Sequence, residues 1–228
     1  MKDTLLLEAQ RLGLSLSEAQ TDLFCRFGQA LLEKNQVMNL TAITEPKAVA
    51  TLHFADCLAL LNFADFKNKS VIDVGCGAGF PGVPLKLGEP SIRLTLLDSL
   101  QKRVTWLNET LDGLGVQAQC VASRAEEFKA REQYDIAVSR AVARLNVLAE
   151  LCLPFVRVGG FFLAMKGSAA PEELKEAKRA ISLLGGETQE LKEYPIGEAT
   201  HCAVLIRKVR PTPPQSPRRF AKIKQQPL

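Results

Sequence analysis

Apolar residues recur at three- and four-residue spacing through LLLEAQRLGL, SEAQTDLFCRFGQALLEKN and EPKAVATLHFADCLALLNF, which predicts a helical segment over residues 1–62. Ser17, with Gln20 three positions on, has the form of a capping box at a helix start. Asn39-Leu40-Thr41 falls in the break before the third stretch, and Pro46 suits its first turn. From residue 70 the rhythm shortens. The β-rich runs SVIDV, IRLTLLD, VQAQCVA, YDIAVS and GGFFLAMKG alternate with helical patterns. Those patterns begin near Pro81, Ser99, Glu126, Leu145 and Pro171. Such alternation predicts an α/β fold, a parallel sheet with helices on both faces. No helix separates the last two runs, ETQELKEYPI and HCAVLIRKV, so they form an antiparallel hairpin at one end of the sheet. The expected organisation is a helical segment (1–62), a mostly parallel seven-stranded α/β domain (63–208) and a tail (209–228). The tail opens on PTPPQSP, which can continue neither helix nor strand.

The chain has 228 residues, 46% of them hydrophobic and 24% charged, enough for one substantial core. No apolar run reaches the roughly 18 residues of a membrane span. MKDTLLLEAQ lacks the long apolar region of a signal peptide, so a cytoplasmic protein with no membrane partner is expected. Six scattered cysteines with no C-x-x-C pair read as reduced core thiols. Two histidines without paired spacing predict no metal site. Charge changes the picture more. Lysine and arginine number 29 against 25 acids, but residues 207–228 hold seven of the bases and no acid. A basic tail on a mildly acidic body is either an arm for a polyanion or a solvated, disordered end.

Residues 70–86, SVIDVGCGAGFPGVPLK, carry the candidate chemistry. Gly77 to Gly82 satisfies G-x-G-x-x-G, the dinucleotide fingerprint. Asp73 to Gly79 instead reads acid-x-G-x-G-x-G, a loop that cradles S-adenosylmethionine. Fingerprint glycines follow the first strand at once. The dinucleotide register starts two residues late, whereas the other puts Gly75 at the strand end and lets Gly75, Gly77 and Gly79 bring backbone close to a cofactor. Asp73 would repel a pyrophosphate but suits an ammonium group, or a loop whose amides need an acceptor. Asp98 ends the second strand, 23 residues after Gly75, where a carboxylate accepts from ribose hydroxyls. It could equally be an acid at a helix start. These signals favour S-adenosylmethionine over a nicotinamide cofactor.

Ligands of open α/β sheets bind beyond the carboxyl ends of the strands. Basic residues follow four of those ends: Lys102 and Arg103, Arg124, Arg140 with Arg144, and Lys166. Cations in the first turn of a helix oppose its macrodipole, and such a rim suits a nucleic-acid backbone better than a small neutral substrate. Trp106 reads as packing. Phe80, in the glycine loop and without core periodicity, reads as a contact for the cofactor or the acceptor base. His53, in HFAD, reads as a structural histidine bonded to backbone or to Asp56.

DVGCGAGFPGVPL, LLDSLQKRVTWL, SRAEEF, YDIAVSRAVARL and GGFFLAMKG, with NLTAIT and HFADCLAL before them, resemble in this order the bacterial 16S rRNA guanine-N7 methyltransferase family RsmG, also called GidB. The resemblance is strongest over residues 31–167. It implies a Rossmann-like class I methyltransferase fold and methyl transfer from S-adenosylmethionine to a guanine in the 530 loop of 16S rRNA. Its partner would be the small ribosomal subunit, with no protein partner and a monomeric enzyme. By the same resemblance, Gly75 and Phe80 contact the cofactor, and Asp98, Ser99 and Leu100 lie at its ribose. Ala125 and Glu126 flank its adenine, Arg140 stands at the methyl donor, and Lys166 lies on the RNA side. The other readings are methylation of another RNA, of protein or of a small molecule, and a non-catalytic RNA-binding assembly factor.

Overall fold

In the computed structural model, which describes residues 1–140 and 143–228, helix α1 (Lys2–Arg11) is followed by α2 (Glu18–Met38), opened by the expected capping box. Ser17 Oγ accepts from the Gln20 amide (3.2 Å), and Gln20 Oε1 accepts from the Ser17 amide (2.9 Å). Asn39 ends α2 in the left-handed conformation (φ 50°). Pro46 starts α3 (Pro46–Val49). The chain then winds through a wide π turn (Ala50–Ala55), α4 (Asp56–Leu58) and a 3-10 turn (Ala59–Asn62). The predicted regular helix is therefore interrupted. His53 through Leu60 are all buried, so this segment is enclosed on every side rather than amphipathic.

Seven strands follow: β1 (Ser70–Val74), β2 (Arg93–Asp98), β3 (Gln119–Ala122), β4 (Tyr134–Arg140), β5 (Val156–Lys166), β6 (Gly186–Ile196) and β7 (Ala199–Lys208). Their order is β3-β2-β1-β4-β5-β7-β6. The first five are parallel, and β7 pairs antiparallel with both β5 and β6. The strand order reverses between β1 and β4, which opens a crevice at their carboxyl ends. Helices α5 (Gly82–Gly88), α6 (Gln101–Leu114), α7 (Leu145–Cys152) and α8 (Ala170–Leu183) cover the sheet. Successive residues of β1 feed different cores, because strand side chains alternate faces. Val71 joins Phe24, Phe54, Leu96 and Leu107 on the side of the N-terminal helices. Ile72 joins Leu148, Phe162 and Ile181 under α7 and α8.

Two expectations are corrected. No helix forms near Glu126. The Arg124 carbonyl accepts from both Glu127 and Phe128 amides, a single turn before the chain runs on to β4. Nor is the tail a solvated arm. The Gly185 carbonyl accepts from the Val209 and Arg210 amides, and Arg131 donates to the carbonyls of Thr212, Pro213 and Ser216. A short helix, α9 (Phe220–Gln225), buries Ile223 completely. The physical cause is Glu150. Its carboxylate is fully buried in α7 and requires a cation. Arg218 supplies it, through Nε (2.8 Å) and Nη2 (2.6 Å). The six cysteines are all free thiols, four of them buried. Among the described residues no helix is long and apolar enough to cross a membrane.

Candidate functional site

The loop from β1 to α5 holds its three glycines at positive φ: Gly75 (74°), Gly77 (57°) and Gly79 (93°). A Cβ on Gly79 would meet Val83 and Leu107, whereas one on Gly77 would point into open space. Two carboxylates set the loop. Asp98 Oδ2 accepts from the Gly77 amide (2.9 Å), and Oδ1 accepts from the Leu100 amide (2.9 Å). Asp73, fully buried, accepts the Gly82 amide on Oδ2 (2.7 Å). Its Oδ1 is buried without a hydrogen-bond partner. Burial pushes the Asp73 carboxyl up to about 7, opposed in part by the Gly82 amide and Arg140.

That shift has a sign. Folded Asp73 keeps its proton to about pH 7, while the unfolded chain releases it near its ordinary value of 3.8. The folded state thus binds the extra proton between these values, and stability falls as pH rises through the window. His53 works the other way. Burial and then Arg140 hold it down at about 4 from 6.5, so its contribution rises with pH across that range. Comparing wild type with Asp73→Asn isolates the first effect. From about pH 5 to pH 7 the wild-type melting temperature is expected to lose ground steadily against the variant. Parallel melting curves across that range would show that Asp73 does not hold a proton.

A pocket of about 390 Å³ lies beside the loop, at the carboxyl ends of β1, β2 and β3. Of the predicted residues, Gly75, Asp98, Ser99, Leu100, Arg103, Arg124, Ala125 and Glu126 line it. Asp73, Gly77, Gly79 and Phe80 do not; Asp73 and Gly79 brace the loop from behind, while Gly77 faces open space. Phe80 is a core residue, 5% exposed, with its ring against His53 (4.5 Å between centroids) and Phe27. Ser123, Leu148, Leu151 and Phe220 also line the pocket, and sequence reasoning missed them. The α7 pair carried the ordinary spacing of a core helix, and Phe220 sits in the tail.

A second pocket, about 750 Å³, opens at the ends of β4 and β5 under the N-terminal helices. Arg140, the last residue of β4, lies here. Its guanidinium stands 4.7 Å from the Phe80 ring centre and 3.6 Å from Asp56 Oδ2, and Nη2 donates to His53 Nδ1 (3.1 Å). Arginine has only donors, so His53 Nδ1 is the acceptor and the proton of the neutral ring is on Nε2, facing Thr41 Oγ1 (2.8 Å). Of the two partners expected for His53, backbone or Asp56, Asp56 is engaged elsewhere. It receives Tyr194 (3.0 Å) and His201 (2.8 Å) from β6 and β7. Neither partner was legible in the sequence. Lys166 lines this pocket but is half-buried and paired with Glu173 (2.8 Å), and exposed Arg144 is tied to Glu176. Of the predicted RNA contacts, Lys102, Arg124 and Arg144 are exposed. Ala141, in the Ser-Arg-Ala motif, lies outside the described residues.

A parallel sheet with one reversed strand, β7, set between β5 and the end strand β6, a glycine loop after β1 and an acid ending β2 define a class I methyltransferase fold. Solved structures agree. A geranyl diphosphate methyltransferase in complex with S-adenosylmethionine superposes with a TM-score of 0.59, at 13% identity over 78% of this chain and 95% of that one. A methyltransferase from Aquifex aeolicus gives 0.56, at 15% identity over 77% and 97%. The particular family follows from sequence. The family model described as "GidB: rRNA small subunit methyltransferase G" matches residues 20–201. Ribosomal RNA small subunit methyltransferase G of Alkaliphilus oremlandii is 46% identical, covering 100% of this chain and 99% of that protein. The enzyme of the same name from Oceanobacillus iheyensis is 44% identical over 95% and 94%. The chain belongs to the rRNA small subunit methyltransferase G family.

Proposed function

We propose that the protein transfers the methyl group of S-adenosylmethionine to N7 of a guanine in the 530 loop of 16S rRNA. The observation that carries this reading is the pair of pockets flanking the β1/β4 switch point within a family match. The residues present fit the cofactor. Asp98 spends one lone pair of each oxygen on loop amides and keeps others for ribose hydroxyls. The open space at Gly77 and the unpartnered Asp73 Oδ1 suit a bound group beside the loop. Ala125 and Glu126 face its nucleoside end. Bound S-adenosylmethionine supplies an electrophilic methyl on a sulfonium.

The second pocket takes the base. Guanine N7 has an in-plane lone pair and no proton to lose, so no general base is needed. The pocket accords with this: neutral His53 has its lone pair committed to Arg140. With the cofactor held there, attack by N7 on the methyl carbon would displace the sulfur, which would keep the electron pair of the broken carbon–sulfur bond. The positive charge passes to the purine. Asp56 and His53 steer the Arg140 guanidinium, which keeps N–H groups for the guanine Hoogsteen edge. Catalysis is therefore alignment of nucleophile, methyl and leaving sulfur. Exposed Lys102 and Arg124 meet phosphates along the rim.

The test is transfer of labelled methyl from S-adenosylmethionine to small subunits, and to naked 16S rRNA, from cells lacking this gene. Cleavage at N7-methylguanine then maps the product. One new site in the 530 loop is expected. Label elsewhere in RNA would overturn the substrate assignment, and cofactor binding with no label on either would turn the reading toward an assembly factor.

A further inference from the structure

The first pocket has a wall that the glycine-loop pattern does not supply. Phe220 lines it from the C-terminal tail, beyond the residues matched by the family model. Its ring is half-buried, packed against the core that includes Leu148 and Leu151. Its amide donates to Glu126 Oε1 (3.2 Å), so the tail also orients that carboxylate. Both flanks are fixed. Arg218, two residues before, is locked on buried Glu150, and Ile223, three residues after, is fully buried.

From this we infer that Phe220 is a cofactor-binding residue and that the tail completes the nucleoside end of the site. The inference rests on the cofactor reading above. An aromatic ring presents an apolar face to a purine, and such stacking is tight because both partners are flat. Glu126 keeps Oε2 as an acceptor for an exocyclic purine amine, while Oε1 is held by the Phe220 amide. The long-range fold of the tail, unneeded for the sheet, thus has a use.

Calorimetric titration with S-adenosylhomocysteine tests it, on full-length wild type, Phe220→Ala and Phe220→Tyr. Phe220→Ala is expected to bind about tenfold more weakly, and Phe220→Tyr to return close to wild type. Limited trypsin digestion gives a second readout on the unaltered chain, since Arg219, Lys222 and Lys224 are exposed. S-adenosylhomocysteine is expected to slow cleavage at these three. An unchanged Phe220→Ala constant, or tail cleavage indifferent to ligand, overturns the inference while leaving the cofactor reading intact. Wild type that fails to bind S-adenosylhomocysteine overturns both. The digestion decides the matter even where Phe220→Ala melts early.

Discussion

Arg140→Ala is expected to lower methyl transfer at least about a hundredfold while S-adenosylhomocysteine binding stays within about threefold of wild type. The asymmetry follows from where the side chain lies. Arg140 ends β4 in the second pocket and takes no part in lining the first. Removing it would delete the donors proposed to orient the base and leave the lining of the first pocket whole. The fold should survive, because Asp56 keeps Tyr194 and His201 as partners. Arg140→Lys retains the charge without the planar fork and should recover little. The measurement is a single-turnover rate on rRNA beside a titration of ligand affinity. A folded Arg140→Ala enzyme that methylates at the wild-type rate would sink the positioning role.

Asp98→Ala should show the opposite split, a loss of cofactor affinity of about a hundredfold. Two effects add. The ribose loses a charged acceptor, and the Gly77 and Leu100 amides lose the carboxylate that arranges them. Asp98→Asn keeps an acceptor oxygen but not the charge, and should fall between. Calorimetry with S-adenosylhomocysteine reads the effect, and circular dichroism checks that the sheet persists. An Asp98→Ala protein binding as tightly as wild type would remove Asp98 from the site.

Local chemistry was legible in the sequence, and long-range chemistry was not. SVIDV marks the limits of β1 because it is β-rich and stops at a glycine. The Ser17–Gln20 capping box was readable because both partners lie within one turn. The position of Asp98 at the end of β2, beside the glycine loop, was readable because strand end and loop have a fixed relation in this topology. Apart from the short helix expected near Glu126, what the sequence did not show involves partners distant along the chain. Arg144 and Lys166 read as free cations, since Glu176 and Glu173 lie on a later helix. Phe80 had no periodicity in a glycine-rich loop, so its burial between His53 and Phe27 gave no local signal. Arg218 looked like one more basic residue because Glu150 stands 68 positions earlier.

The buried pair of Glu150 and Arg218 also sets an order of events during synthesis. Glu150 is made and enclosed by α7 before its counter-charge, which lies 68 positions further along the chain. Until then the nascent protein carries an unmatched carboxylate in its interior and a first pocket without its Phe220 wall. A polypeptide that stops short of Arg218 is therefore unfinished in chemistry as well as in length.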